Sequence, residues 1–337
     1  MLDTAARSEY YSDFGSTLNG KLALRYRAND DLLLRASTST GFRAPSLSQS
    51  HFSYTGSYRN SSGEAAQFWG NYAVDHPVAR ALGATDLKPE KSNHMTLGMV
   101  FQPSSQLTAS ADYFATDISD RIMPTGYIAS WNMASLSPQA VAILAQNNVD
   151  GAVYFANAIS TRTQGYDLRL DYKHNFEHGA KLKLVAAYQH SKTHITQVNQ
   201  APGVLGVQMT DLILDPFTRV LIEGGQPANS FKLWSKYEVD DYGIVMNLNR
   251  FGRFSSVKGY DKVSFDARWT LDTELSYRLV KDVTLALGAA NLFNAKPKEW
   301  GQTDDSLVGS GKVIRYSQYA PFGYNGAYYY LRLGVTF

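Results

Sequence analysis

The side chains best able to grip a small molecule are aromatic and histidine residues in polar, glycine-containing stretches: His51, Tyr54, Tyr58, Trp69, His76, Tyr127, Trp131, Tyr154, Trp300 and Tyr324. Flat rings give a sugar ring or an aromatic chelator rigid contact area at small entropic cost. Covalent and metal chemistry have less support. Asp75-His76 lacks third and fourth ligands at a recognised spacing, Asp304-Asp305 offers a loop cation only two carboxylates, and His190 and His194 fall where a strand gives way to solvated loop. No Ser-His-Asp spacing and no paired carboxylates with a defined cleft occur, so the sequence calls for no catalytic centre, metal or cofactor. Gly165, Gly288 and Gly334 read as places of close strand packing or curvature, because none leads from a strand into a helix as a phosphate loop requires.

These candidates sit between strands. Period-two alternation predicts about twelve of them. They run from Leu2 to Tyr10, Thr17 to Arg27, Asp31 to Ser39, Ser92 to Phe101, Gln106 to Ile118, Thr161 to Lys173 and from Leu182 through Tyr188. The rest are Phe231 to Val239, Tyr242 to Arg253, the long alternating run Val263 to Leu279, Val283 to Ala289, and Gly326 to Phe337. Short turns near residues 29, 104, 176, 241 and 281 alternate with longer connections near 13, 65, 140, 210, 257 and 308. Within one of these, Ser137 to Gln146 predicts a short helix, with Ser137 capping and Pro138 at its first position. One end of every hairpin is trimmed while the other is elaborated, the pattern of a transmembrane antiparallel β-barrel.

Charge follows the same alternation. One row carries Arg35, Asp112, Asp167, Arg169, Asp171, Lys232, Lys236, Glu238, Asp266, Arg268, Asp272, Glu274, Arg278 and Arg332, and the opposite row carries almost none. A mixed-sign lining fits a water-filled or protein-filled lumen. In the final strand Tyr329, Leu331, Leu333, Val335 and Phe337 share the apolar side, which suits lipid between aromatic girdles. The competing reading is the solvated face of a soluble antiparallel sheet.

Composition sets the bounds. The 337 residues include 13% aromatics, 18% charged residues and no Cys, which excludes a disulfide framework and a thiolate metal site. A net charge of +2 gives no basic excess to attract nucleic acid. No apolar run is long enough for a helical membrane span, but transmembrane strands need only about 9 to 11 alternating residues. Met1 leads directly into a predicted strand with no signal-peptide pattern, so a membrane reading implies that this sequence begins inside a longer precursor.

Several ordered motifs resemble one family. Tyr11-Ser12-Asp13-Phe14-Gly15-Ser16-Thr17, Leu33-Leu34-Arg35-Ala36-Ser37, Gly41-Phe42-Arg43-Ala44-Pro45-Ser46 and Leu87-Lys88-Pro89-Glu90-Lys91-Ser92 resemble the barrel of TonB-dependent outer-membrane receptors. So do Asp112-Tyr113-Phe114 with Asp117-Ile118, Thr163-Gln164-Gly165-Tyr166-Asp167, and Ala290-Asn291-Leu292-Phe293-Asn294-Ala295-Lys296-Pro297 followed by Tyr329 to Phe337. The resemblance implies the C-terminal part of a 22-stranded barrel, here about twelve strands without plug, TonB box or the first strands. It further implies a Gram-negative outer membrane and uptake of an iron–siderophore complex, cobalamin or an oligosaccharide. The implied partners are lipid, the plug and remaining strands of the parent receptor, the TonB complex, and the barrel assembly machinery at the C-terminal strand. Arg43 is expected to pair with a barrel or plug carboxylate. A passive pore and a secreted β-rich carbohydrate-binding protein are the alternatives, the latter requiring a second layer over the apolar rows.

Overall fold

A computed structural model describes residues 1–12, 14–58, 67–129, 136–206, 210–258, 261–303 and 313–336, with backbone alone at 58, 210, 258, 300–303 and 313–314. The chain opens with β1 (Leu2–Tyr11), β2 (Gly15–Arg27) and β3 (Leu32–Arg43). The first long connection holds α1 (Leu47–His51), β4 (Tyr54–Tyr58), β5 (Gln67–Tyr72) and α2 (Pro77–Ala81). Next come β6 (Glu90–Phe101), β7 (Leu107–Pro124), β8 (Ile128–Ala129), α3 (Pro138–Gln146), β9 (Gly151–Asn175) and β10 (Lys181–Val198). A third connection carries α4 (Thr210–Ile213) and α5 (Pro216–Gly224) before β11 (Asn229–Val239) and β12 (Tyr242–Phe251). The chain ends with β13 (Phe254–Lys258), β14 (Asp261–Phe265), β15 (Arg268–Val280), β16 (Val283–Ala290), β17 (Glu299–Thr303), β18 (Val313–Tyr316) and β19 (Tyr328–Val335).

Twelve strands form one meander in the order β1-β2-β3-β6-β7-β9-β10-β11-β12-β15-β16-β19. These are the expected strands in the expected order. β1 and β19 are its two edges, so among the described residues the sheet is open. The predicted run from Val263 to Leu279 is corrected: it divides into two strands. Phe265 is buried and stacks on Phe254 at 4.6 Å, which holds β14 against β13 in a separate hairpin. Asp266 lies between β14 and β15 and pairs with Arg253 at 3.1 Å, so it belongs to the loop end and not to the lumen row. β7, β9 and β10 run further than predicted, and His190 and His194 are strand residues.

Register sorts the side chains. Leu34, Met99, Ala111, Leu168, Tyr188, Phe231, Arg250 and Trp269 occupy linked positions on one face. The residues between them form the polar face. Many large apolar side chains of the first face stay exposed, among them Leu24, Met99, Leu168, Leu275, Leu287, Leu331 and Leu333. The two buried apolar clusters lie elsewhere, so the second layer that a soluble sandwich requires is not found among the described residues. Aromatics gather at both ends of this face. Trp269 and Tyr277 stand at opposite ends of β15, roughly 26 Å apart along the strand at about 3.3 Å per residue. That separation suits the roughly 25 Å apolar band of an outer-membrane barrel.

Glycines on the polar face let side chains meet across an intervening strand. Gly98 stands between Arg35 and Asp112, where a Cβ would lie 1.9 Å from Asp112 Oδ1 and 2.9 Å from Arg35 Nε. Gly288 similarly separates Glu274 from Tyr330, and the Tyr330 hydroxyl donates to Glu274 across it at 2.9 Å. Phe114 closes over Gly165. Gly334 departs from the expectation, since a Cβ there meets only the Thr284 carbonyl, at 3.9 Å.

Candidate ligand-binding loops and polar face

The long connections fold onto one another. β5 adds in parallel to the first residues of β9, and β8 pairs with β9 on the other side. Tyr72, Val78, Leu82, Ile128, Leu144, Tyr154 and Leu205 bury together, so three connections share one core. α3 forms where predicted: the Ser137 hydroxyl accepts from the Ala140 amide and Pro138 starts the helix, so both sequence signals act.

This core divides the predicted ligand residues. Tyr54, Trp69 and Tyr127 come together, with ring centroids 5.6 Å apart for Tyr54–Trp69 and 6.3 Å for Trp69–Tyr127. Trp69 lies opposite Gly151 of β9. Tyr54 and Tyr127 are each more than half exposed. The result is a partly exposed aromatic ledge whose rings meet tilted and edge-to-face, able to contact a ring-shaped ligand.

Other candidates are committed to structure. Tyr154 is corrected from ligand contact to core residue: it is 1% exposed and its hydroxyl donates to the Leu82 carbonyl at 3.1 Å. His76 is corrected likewise, since its Nδ1 accepts from the Val78 amide as the cap of α2 and its ring stacks on Tyr72 at 4.5 Å. Burial raises the Tyr72 phenol above its ordinary pKa. His51 stands 3.9 Å from Asp75. Tyr324 is exposed and stacks on Tyr316. Trp131, Phe337 and Asp304-Asp305, and the side chains of Tyr58 and Trp300, lie outside the described residues.

A cavity of about 350 Å³ beside this core was not foreseen. Lys88, Asp120, Asn157, Asn199 and Gln200 line it. The Asn157 amide donates to the Lys88 and Asp120 carbonyls at 2.8 and 2.7 Å, and Asn199 donates to the Asn157 carbonyl at 2.6 Å. Asn and Gln in polar stretches carry no periodic signal, which is why the sequence did not mark them.

On the polar face the predicted lining residues largely neutralise one another. Arg35 forks onto Asp112, beside Asp167, and Arg169 forks onto Asp171 at 2.6 and 2.7 Å. Lys236 pairs with Glu238 at 2.7 Å, and Arg332 with Glu274 at 2.6 Å. Lys232 and Arg268 share this face. Nearer the loops Arg43 pairs with Glu90, which also accepts from the Ile122 amide at 2.8 Å. The Arg43 expectation is therefore met within this chain. Residues 1–292 match the β-barrel family of TonB dependent receptor-like proteins. The chain belongs to the TonB-dependent receptor family. No curated protein matches the sequence. Similar folds include the siderophore receptor PirA of Acinetobacter baumannii, with TM-score 0.62 and 16% identity over 100% of this chain and 43% of that one. A mutant of the ferric enterobactin receptor PfeA of Pseudomonas aeruginosa gives TM-score 0.62 and 15% identity over 100% and 42%. The ferric yersiniabactin uptake receptor FyuA of Yersinia pestis gives 0.52 and 13% over 96% and 38%. This TonB-dependent receptor chain thus spans less than half the length of these structures.

Proposed function

We propose that this chain supplies C-terminal barrel strands and ligand-gripping loops to a TonB-dependent outer-membrane receptor that imports an iron–siderophore complex. The Tyr54–Trp69–Tyr127 ledge at the loop end, with Tyr54 and Tyr127 exposed, carries the ligand reading, because clustered aromatic rings offer rigid contact area to aromatic chelators. The family match supports a transporter, not an enzyme, and the similar folds favour siderophores over cobalamin or oligosaccharide as ligand class. Energy coupling is assigned to the plug and TonB box of the parent protein, with the paired polar face as the wall against which a plug would seat. The outward row of β19, Tyr329, Leu331, Leu333 and Val335 leading to Phe337, is assigned to recognition by the barrel assembly machinery.

The test uses the receptor as it occurs in the cell. Trp69→Ala should weaken ferric-siderophore binding about tenfold, the order of a lost aromatic contact, with heat-modifiable gel mobility unchanged. Binding equal to wild type would remove the ledge from the ligand site. Uptake should cease in a strain lacking TonB; uptake persisting there, with ion conductance in planar bilayers, would identify a passive pore.

A further inference from the structure

The polar cavity beside the loop core holds two opposite charges that do not meet. Lys88 and Asp120 both line it, yet neither enters an ion pair among the described residues. One side chain fixes them both. Asn157 accepts from the Lys88 amide at 2.8 Å and donates to the Lys88 and Asp120 carbonyls at 2.8 and 2.7 Å, so most of its hydrogen-bonding capacity holds the backbone that carries the two charges. Asn157 is held in turn, its own carbonyl accepting from Asn199 at 2.6 Å. Asp120 has φ +56°, a left-handed conformation that Asp adopts more readily than most residues, in the gap where the β7–β9 register shifts between Ile118 and Arg121. A bulge of this kind re-aims a side chain away from the ladder. Elsewhere in the wall Gly83 has φ +95°, and a Cβ there would lie 2.3 Å from Pro202 Cβ, so the connection before β6 meets the one after β10 only with glycine at this position.

Charge decides the occupant. An anion satisfies Lys88 but faces Asp120, a cation does the reverse, and a neutral sugar leaves both without a counter-charge. A ligand carrying one charge of each sign satisfies both. The rest of the lining divides in two: Thr85 and Gln200 offer further hydrogen bonds, while Ala156, Pro202 and Ile213 give apolar surface for a hydrocarbon side chain. The volume of about 350 Å³ stands at the small end of ligand pockets, which run from roughly 300 to 1,000 Å³. That size suits a single metabolite.

We propose that this cavity binds a free α-amino acid with an apolar side chain, its carboxylate on Lys88, its ammonium group on Asp120 and its side chain against Ala156, Pro202 and Ile213. The site is separate from the Tyr54–Trp69–Tyr127 ledge, none of whose residues lines the cavity, and it stands whether or not the ledge holds a siderophore. The receptor containing this chain, purified in detergent, would be titrated with L-leucine, leucine methyl ester and N-acetyl-leucine at about pH 6, where α-amino groups are charged, with binding read by saturation-transfer NMR. Wild type should bind leucine, and each blocked form roughly tenfold more weakly, the order of one charge-assisted hydrogen bond. Lys88→Gln should lose a similar factor for leucine and no longer tell it from its methyl ester, while still discriminating against N-acetyl-leucine. Asp120→Asn, which keeps a residue suited to positive φ, should show the opposite preference. Lys183→Gln, on the polar face near a short turn, should bind leucine as wild type does. A purely structural role for Lys88 or Asp120 would weaken all three ligands alike. That result, no binding of leucine by wild type, equal binding of the blocked forms, or methyl glucoside bound as tightly as leucine would each overturn the proposal.

Discussion

Two arginine–carboxylate forks of similar geometry sit in different surroundings. The Glu90 side chain is 9% exposed and also satisfies the Ile122 amide, whereas Arg35 and Asp112 are 50% and 24% exposed. Removing Glu90 strands a buried amide and a guanidinium, so Glu90→Ala should cost about 2–3 kcal/mol. Arg35→Ala removes a solvent-screened pair and should cost under about 1 kcal/mol. Urea unfolding of the micelle-bound receptor compares the two, and coincident losses would show that burial is not what separates them. The pairing of Arg43 was legible because the motif sets a cation on a strand face near the loop end. The fates of Tyr154 and His76 were not, because burial in a shared loop core depends on contacts among three connections that no local pattern records.

Elements were legible where local chemistry and packing agree. Ser137 and Pro138 announced α3, and alternation announced the twelve strands of the meander. The break after Phe265 escaped because Val263, Phe265, Trp269 and Leu271 keep the same parity on both sides of it; alternation reports side-chain direction and is blind to a change of partner strand. The loop elements depend instead on a core of their own, and Tyr154 ties β9 to the connection preceding β6. Tyr154→Phe should cost about 1 kcal/mol, the usual net worth of one buried hydrogen bond. Limited proteolysis should then cut the connections faster while exchange of the sheet amides stays unchanged. Faster exchange throughout the sheet would mean that the loop core and the sheet unfold as one unit.

At the scale of the whole molecule, the charged and the apolar face were legible in the sequence except at the loop rim, where Lys91, Asp117, Arg162, Lys192 and Arg250 interrupt the apolar face. Alternation counts residues along each strand; it does not say at what height a residue sits when strands are staggered. Among the described residues the open order leaves β1 and β19 each with one neighbour. With this chain alone in micelles, alternate amides of both edge strands should exchange with deuterium well before those of β9 and β10, and uniform protection would mean that the edges find each other. The glycines that let side chains touch over an intervening strand bear on how such a sequence can drift. Each ties three positions on three strands into one unit, so a methyl group at Gly98 or Gly288 is harmful only while the groups on either side still reach across. Once Asp112 or Tyr330 has changed, the glycine is free to vary. Neighbouring lineages should therefore keep or lose these triplets whole, and a substitution tolerated in one relative can be damaging when moved into another.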